Sequence, residues 1–169
     1  MTKRSNHPYT LRPAVPEDID QLAGLIQGLA KYEKLSDQVT GDPKRLERDL
    51  FGEDPFAHAL VTEGDDRLLG FALYFFNYST FLMKPGLYLE DLYVIPEYRA
   101  LGIGSAMMDH LAALAVDKDC GRFEWSVLDW NQPAIEFYQN QGAKLLSEWR
   151  ICRLDGVNLD QRAQSRRRA

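Results

Sequence analysis

The segment Arg99-Ala100-Leu101-Gly102-Ile103-Gly104-Ser105 constrains the fold of this chain more than any other. It lies between an apolar run, Leu87 to Ile95, that Pro96 ends, and a stretch in which Ile103, Met107, Leu111 and Leu114 recur at helical spacing. The pattern predicts a strand, a short glycine-bearing loop and a helix in immediate succession. Gly102 and Gly104 carry no Cβ, so backbone N–H groups can approach a ligand closely. Those groups point out of the helix N-terminus, where the macrodipole favours an anion such as a pyrophosphate. Arg99 adds a mobile positive charge at the loop's edge. Two familiar nucleotide loops do not fit. The G-x-G-x-x-G fingerprint needs a glycine where Met107 stands, and no Lys-Ser/Thr pair follows the last glycine. A plain structural turn satisfies the same residues.

The rest of the chain alternates strand and helix patterns. Tyr9 to Arg12 reads as a first strand, and Ile19, Leu22, Ile26 and Leu29 mark a helix with Pro16, Glu17 and Asp18 as its first turn. Asp42 before Pro43 reads as an N-cap followed by proline at the first helical position, with Leu46 and Leu50 on one face. Ala57 to Glu63 and Leu68 to Asn77 read as strands joined by a hairpin turn at Gly64, Asp65 and Asp66. Beyond the loop, Phe123 to Leu128 is a strand. Asn131 can cap a helix that begins at Pro133 and leaves at Gly142, and Trp149 to Leu154 reads as a last strand. The expected fold class is mixed α/β (α+β): one domain over residues 9–155, with a mostly antiparallel sheet of six to seven strands flanked by about four helices. Residues 1–8 and 156–169 read as flexible termini, and Arg166, Arg167 and Arg168 as part of a solvated tail.

Composition narrows the class. The chain has 169 residues, 45% of them hydrophobic and 27% charged, enough for one packed core with a polar surface. No apolar run is long enough to span a bilayer, and Met1 to Pro8 has no signal-peptide pattern, so neither a membrane nor export is expected. Cys120 and Cys152 make no metal or disulfide spacing, which suits a reduced, cytoplasmic protein without a metal. A net charge of −5 does not favour nucleic acid and is compatible with a cationic substrate.

Three stretches carry a resemblance: "LAKYEKLSDQV", "YLEDLYVIPEYRALGIGS" and "LDWNQPAIEFYQNQGA". With the R-x-x-G-x-G loop they resemble the GNAT N-acetyltransferases over about Leu11 to Leu154. They are most similar to the diamine (spermidine/spermine) and thialysine acetyltransferase branch. The resemblance implies a GNAT-like fold, acetyl-CoA as co-substrate, transfer of acetyl to a primary amine of a diamine, polyamine or lysine-like amino acid, and a homodimer. It places the pyrophosphate on Arg99, Ala100, Leu101, Gly102, Ile103, Gly104 and Ser105. Leu92, Tyr93 and Val94 become the strand whose free backbone groups take the pantetheine arm. Asn131, Gln132, Pro133 and Ala134 become part of the cofactor-contacting helix.

Acetyl transfer needs a neutral amine, donors for the developing oxyanion and help for the departing thiolate. Tyr138 falls where the family has its proton donor. A phenol is protonated at neutral pH, although by spacing alone this ring reads as core with Ala134 and Phe137, and only the resemblance makes it the acid. Glu90 and Asp91 sit inside an apolar strand, where a carboxylate is costly without a partner or a task. Strand alternation puts them on opposite faces. The resemblance gives amine contact to Glu90, which would steer and deprotonate the substrate directly or through a water. A structural ion pair is the alternative, and Asp91 would pair with a cation or cap a backbone group. The resemblance further implies substrate contacts at Tyr32 and Glu33 and at Glu124, Trp125 and Ser126. Phe81 stands where relatives often carry tryptophan, and Lys84 adds a cation to a loop, Leu82 to Gly86, that is expected to border the amine. Together they point to short amines over long polyamines. A CoA-binding sensor without catalysis is the reading from a different class.

Overall fold

The computed structural model describes residues 9–168. The chain divides after Leu128 into two compact units. The first is built on a five-stranded sheet in which strand order follows chain order. The strands are β1 (Thr10–Pro13), β2 (His58–Gly64), β3 (Arg67–Ser79), β4 (Lys84–Val94) and β5 (Arg122–Trp125). Pairing is antiparallel from β1 to β4 and parallel between β4 and β5. Three helices accompany it: α1 (Ile19–Glu33), α2 (Pro43–Phe51) and α3 (Ile103–Asp117).

Sheet alternation decides which residues meet which helix. Ala59, Val61, Phe71 and Tyr93 face α1 and α2 and pack with Leu22, Leu25, Leu29 and Leu50. Leu60, Ala72, Leu87 and Leu89 take the opposite parity and are also buried, as expected for a sheet covered on both faces. The parallel β4–β5 pair requires a crossover, and α3 supplies it, burying Ile103, Met107 and Leu111.

Local chemistry sets the element ends. Asp65 and Asp66, at φ 52° and 58°, form the two-residue turn between β2 and β3 at the expected place. Asp42 Oδ1 accepts from the Lys44 N–H at 2.9 Å, and Pro43 opens α2. Pro16 to Asp18 form a 3-10 turn of their own before α1. Buried Asp18 receives Arg12 at 2.6 and 2.9 Å and the Val15 N–H at 2.9 Å, which holds its carboxyl below the usual range.

The second unit holds α4 (Gln132–Asn140) and α5 (Gly156–Gln164), followed by a 3-10 turn at Ser165–Arg168. Asn131 Oδ1 caps α4 through the Ala134 N–H at 3.4 Å, and Gly142 takes φ +89° just beyond its end. Two expectations change here. The segment Trp149 to Leu154 forms no strand: Trp149 and Ile151 alternate as a strand would, but a ladder needs a neighbour, which periodicity does not supply. The tail expected to be loose from residue 156 instead carries α5. The expectation for residues 1–8 lies outside the described residues.

Candidate active site

The key irregularity is in β4. Leu73 pairs with Asp91 and Tyr74 with Leu89, so Glu90 is an extra residue opposite the β3 ladder, a β-bulge. The bulge reverses the alternation. Leu87 and Leu89 share a face with Leu92 and Val94, while Tyr88, Asp91 and Tyr93 share the α1 side. The bulge interrupts strict alternation at Glu90 and Asp91, the rule on which their expected division between faces rested. Glu90 is exposed and Asp91 is half-buried.

Asp91 faces the C-terminal end of α1, where Glu33 is the last helical residue. Lys34 takes the left-handed conformation at φ 61°, and the Leu35 N–H returns to the Ala30 carbonyl at 2.8 Å, which ends the helix there. Burial, then the charge of Glu90, then that of Glu33 push the Asp91 carboxyl up to about 6. Burial also raises Glu33. Among the described residues, no hydrogen bond or ion pair offsets the charge of Asp91. Sequence reasoning left Asp91 as a partner for a cation or a backbone cap. Its signal was present, an acidic residue within an apolar strand, but only the bulge and Glu33 distinguish it from its neighbour.

β4 and β5 pair only from Gly86–Arg122 to Leu89–Trp125. Beyond Leu89, no strand among the described residues lies beside the outer edge of β4. The Ile95 N–H donates to the Leu69 carbonyl at 2.9 Å, so backbone alternation turns the polar groups of Val94 and Leu92 outward. Tyr93 points its own backbone groups back to β3. Its side chain is buried against Phe71, with ring centroids 6.5 Å apart, and a Cβ added at Gly28 would lie 2.9 Å from its hydroxyl.

The glycine-bearing loop follows directly. The Pro96–Tyr98 turn is tied to the β2–β3 hairpin, since the Tyr98 hydroxyl donates to Asp65 at 2.5 Å and Arg67 lies over the Tyr98 ring at 5.3 Å. Ala100 and Gly102 have φ of 66° and 80°, two left-handed residues on either side of Leu101. α3 starts at Ile103 with no side-chain cap. Gly104 and Ser105 lie in its first turn, so the end is built for an anion. Arg99, expected at the loop's edge as a positive charge, makes contacts here on two sides. Its Nε donates to the Val94 carbonyl at 3.0 Å, and its guanidinium carbon sits 4.6 Å from the Tyr32 ring centroid and 5.7 Å from that of Tyr93.

The other expected substrate residues divide. Tyr88 hydroxyl and Ser126 Oγ are 2.8 Å apart, which brings Ser126 to the face that carries Asp91. Glu124 is engaged with Arg122 at 2.9 Å, and Trp125 packs on Phe123 with centroids 4.9 Å apart. Lys84 is not in a loop. It opens β4 and pairs with Asp119 at 2.6 Å, six residues before Glu90 and so roughly 20 Å along the strand. The turn is confined to residues 80–83 and holds Phe81, which is fully exposed. In the second unit, Gln132, Pro133 and Ala134 form the first turn of α4. Tyr138 is on the same helix, half-buried, with its ring 5.2 Å from that of Phe137.

A mixed sheet whose fourth and fifth strands part beyond Leu89, followed by a left-handed glycine loop at a helix N-terminus, is the frame the sequence led us to expect of an acetyltransferase. Comparison with known proteins agrees. Residues 17–143 match the Acetyltransferase (GNAT) family. An integron cassette protein from the V. cholerae mobile metagenome superposes with a TM-score of 0.79 at 26% identity, covering 94% of this chain and 99% of that one. The chain belongs to the GNAT acetyltransferase family. It is 43% identical to the thialysine N-epsilon-acetyltransferase of Sus scrofa over 157 residues, 86% of this chain and 92% of that protein. It is also 43% identical to the L-ornithine N5-acetyltransferase NATA1 of Arabidopsis thaliana over 110 residues, 64% of this chain and 48% of that protein. The protein is an N-acetyltransferase acting on amines.

Proposed function

We propose that this enzyme transfers acetyl from acetyl-CoA to the side-chain amine of a small lysine- or ornithine-like amino acid, or to a short diamine. The observation that carries the reading is the carboxylate group Glu33, Glu90 and Asp91 beside the opened edge of β4. Three acidic groups held together are costly unless a cation joins them, and an ammonium substrate is that cation. The thialysine and ornithine acetyltransferases similar to this chain support the amino-acid class.

When bound, acetyl-CoA supplies the acetyl thioester. The chain's residues do the rest. The backbone of Arg99 to Ser105 receives the pyrophosphate, and the family resemblance assigns cofactor contacts also to Asn131, Gln132, Pro133 and Ala134 of the second unit. The outward groups of Leu92 and Val94 receive the pantetheine arm, and an N–H on this edge polarises the carbonyl. Tyr32 and Glu33 hold the remote end of the amine. Glu90, at the bulge, takes the ammonium proton directly or through a water. Asp91 adds a second carboxylate poised near neutral pH. The amine nitrogen then forms its bond to the acetyl carbon as the C–S bond breaks, and the sulfur takes a proton that the family resemblance assigns to the Tyr138 phenol.

Lys84 no longer argues against long polyamines, because it is paired at the far end of β4. The preference for short amines rests on the relatives and on Glu33. The test is kcat/KM for thialysine, ornithine, a short diamine and spermine at fixed salt. Thialysine or ornithine is expected to lead spermine by about tenfold, the order set by one well-placed ionic contact. A clear lead for spermine would assign the polyamine class instead. The same reading includes a homodimer, supported by apolar side chains displayed on the second unit, Trp149 at 72% and Ile151 at 74% exposure. It also includes a cytoplasmic location, which the free thiols of Cys120 and Cys152 suit.

A further inference from the structure

We infer that Arg99 is a clasp that couples cofactor binding to amine binding, an inference that rests on the functional reading above. One side chain touches both halves of the site. Its Nε closes the outward carbonyl of Val94 at 3.0 Å, the group a pantetheine arm needs. Its guanidinium carbon lies 4.6 Å from the centroid of Tyr32, the neighbour of Glu33 at the end of α1. Tyr93, buried beneath, offers a second ring at 5.7 Å.

This arrangement competes with both substrates. An arm laid along β4 cannot use the Val94 carbonyl while Arg99 occupies it. A cationic amine cannot stack on a ring face already covered by a guanidinium, and the two like charges repel. Two arrangements of Arg99 follow, one on Tyr32 and Val94 and one turned to the anion loop. The cofactor favours the second because its phosphates pair with the guanidinium and its arm needs the carbonyl. The amine favours the same arrangement because the ring is released and the positive charge neutralised. Each ligand therefore strengthens the other by the same factor. Arg99 is a positioning residue here, acting on the amine through Tyr32.

The test uses calorimetric titration of the full chain with thialysine, with and without saturating CoA, whose free thiol permits no turnover. Wild type is expected to bind thialysine about tenfold more tightly with CoA present, within the usual range for coupled sites. The reciprocal titration is expected to show the same factor for CoA. Arg99→Gln removes the clasp, so thialysine binds without CoA nearly as well as with it, and the ratio falls towards one. Tyr32→Leu removes the clasped ring and also collapses the ratio. A second readout is the Arg99 Nε–H signal in NMR, expected to be protected from exchange without CoA and shifted by CoA alone. Retention of the wild-type ratio in both variants, or an Nε–H signal unmoved by CoA while amines are still acetylated, overturns the clasp alone. A signal moved by CoA in a protein that neither binds nor acetylates any amine overturns the functional reading and the coupling with it.

Discussion

At Asp91, burial, Glu90 and Glu33 all act in one direction and raise the carboxyl from 3.8 to about 6. The folded state therefore holds this proton more tightly than the unfolded chain. Below about pH 4 both states are protonated and the group costs nothing. Stability falls as pH rises from about 4 to 6 and stays lowered above that. Asp91→Asn removes the penalty, so the variant is expected to be more stable than wild type near pH 8, by up to about 3 kcal/mol, and equal to it near pH 3.5. Urea unfolding at the two pH values measures both, and equal midpoints at pH 8 would show that the cluster is not strained. Activity should move the other way, with the acidic limb of kcat/KM, expected near 6, lost in the variant. Tyr138→Phe keeps the ring and removes only the proton. The expected fall in kcat is about 10²–10⁴-fold with the melting temperature preserved; wild-type turnover, with chemistry rate-limiting, would remove Tyr138 from the mechanism.

Among the elements, β4 and α1 define the geometry. The strand was readable from Leu87 to Ile95 and runs from Lys84 to Val94. Its bulge was not readable, because a bulge is a property of the pairing with β3 and leaves no mark in a run of apolar residues. Arg99 was legible as a loop cation by position, but its stacking depends on where α1 ends, which periodicity sets only within a few residues. Helix caps were more legible, since Asp42 and Asn131 act on residues two and three positions away. Gly28 illustrates the tertiary term. Alanine in a helix interior normally gains about 1 kcal/mol over glycine. Here its Cβ would lie 2.9 Å from the Tyr93 hydroxyl and 3.1 Å from the ring, in a packed core. Gly28→Ala is therefore expected to destabilise by about 1–2 kcal/mol and to disturb the platform under Arg99. Thermal unfolding checks the sign, and a stabilised variant would mean that Tyr93 has room to move.

For the whole molecule, the expected class of a mixed sheet with flanking helices is what the first unit displays, because that class follows from the order of patterns and needs no contact to be known. The second unit was less legible. Trp149 to Leu154 has the rhythm of a strand without a ladder, and α5 has too little apolar periodicity to stand out. The candidate site was legible as far as its motifs: the glycine loop, the acidic pair and the aromatic-acidic end of α1. Asp91's raised carboxyl and the Arg99 bridge arise from groups distant in sequence, so no local pattern announces them. In the function proposed above, all of it serves one reaction, the exchange of a C–S bond for a C–N bond at an acetyl carbon. The most direct measurement mixes the enzyme with thialysine and acetyl-CoA and follows free thiol and acetylated amine together. Equal amounts of the two at every time point, with none formed when the amine is omitted, are the predicted result. Thiol released without acetylated amine, or no thiol with any amine in the panel, would contradict the account.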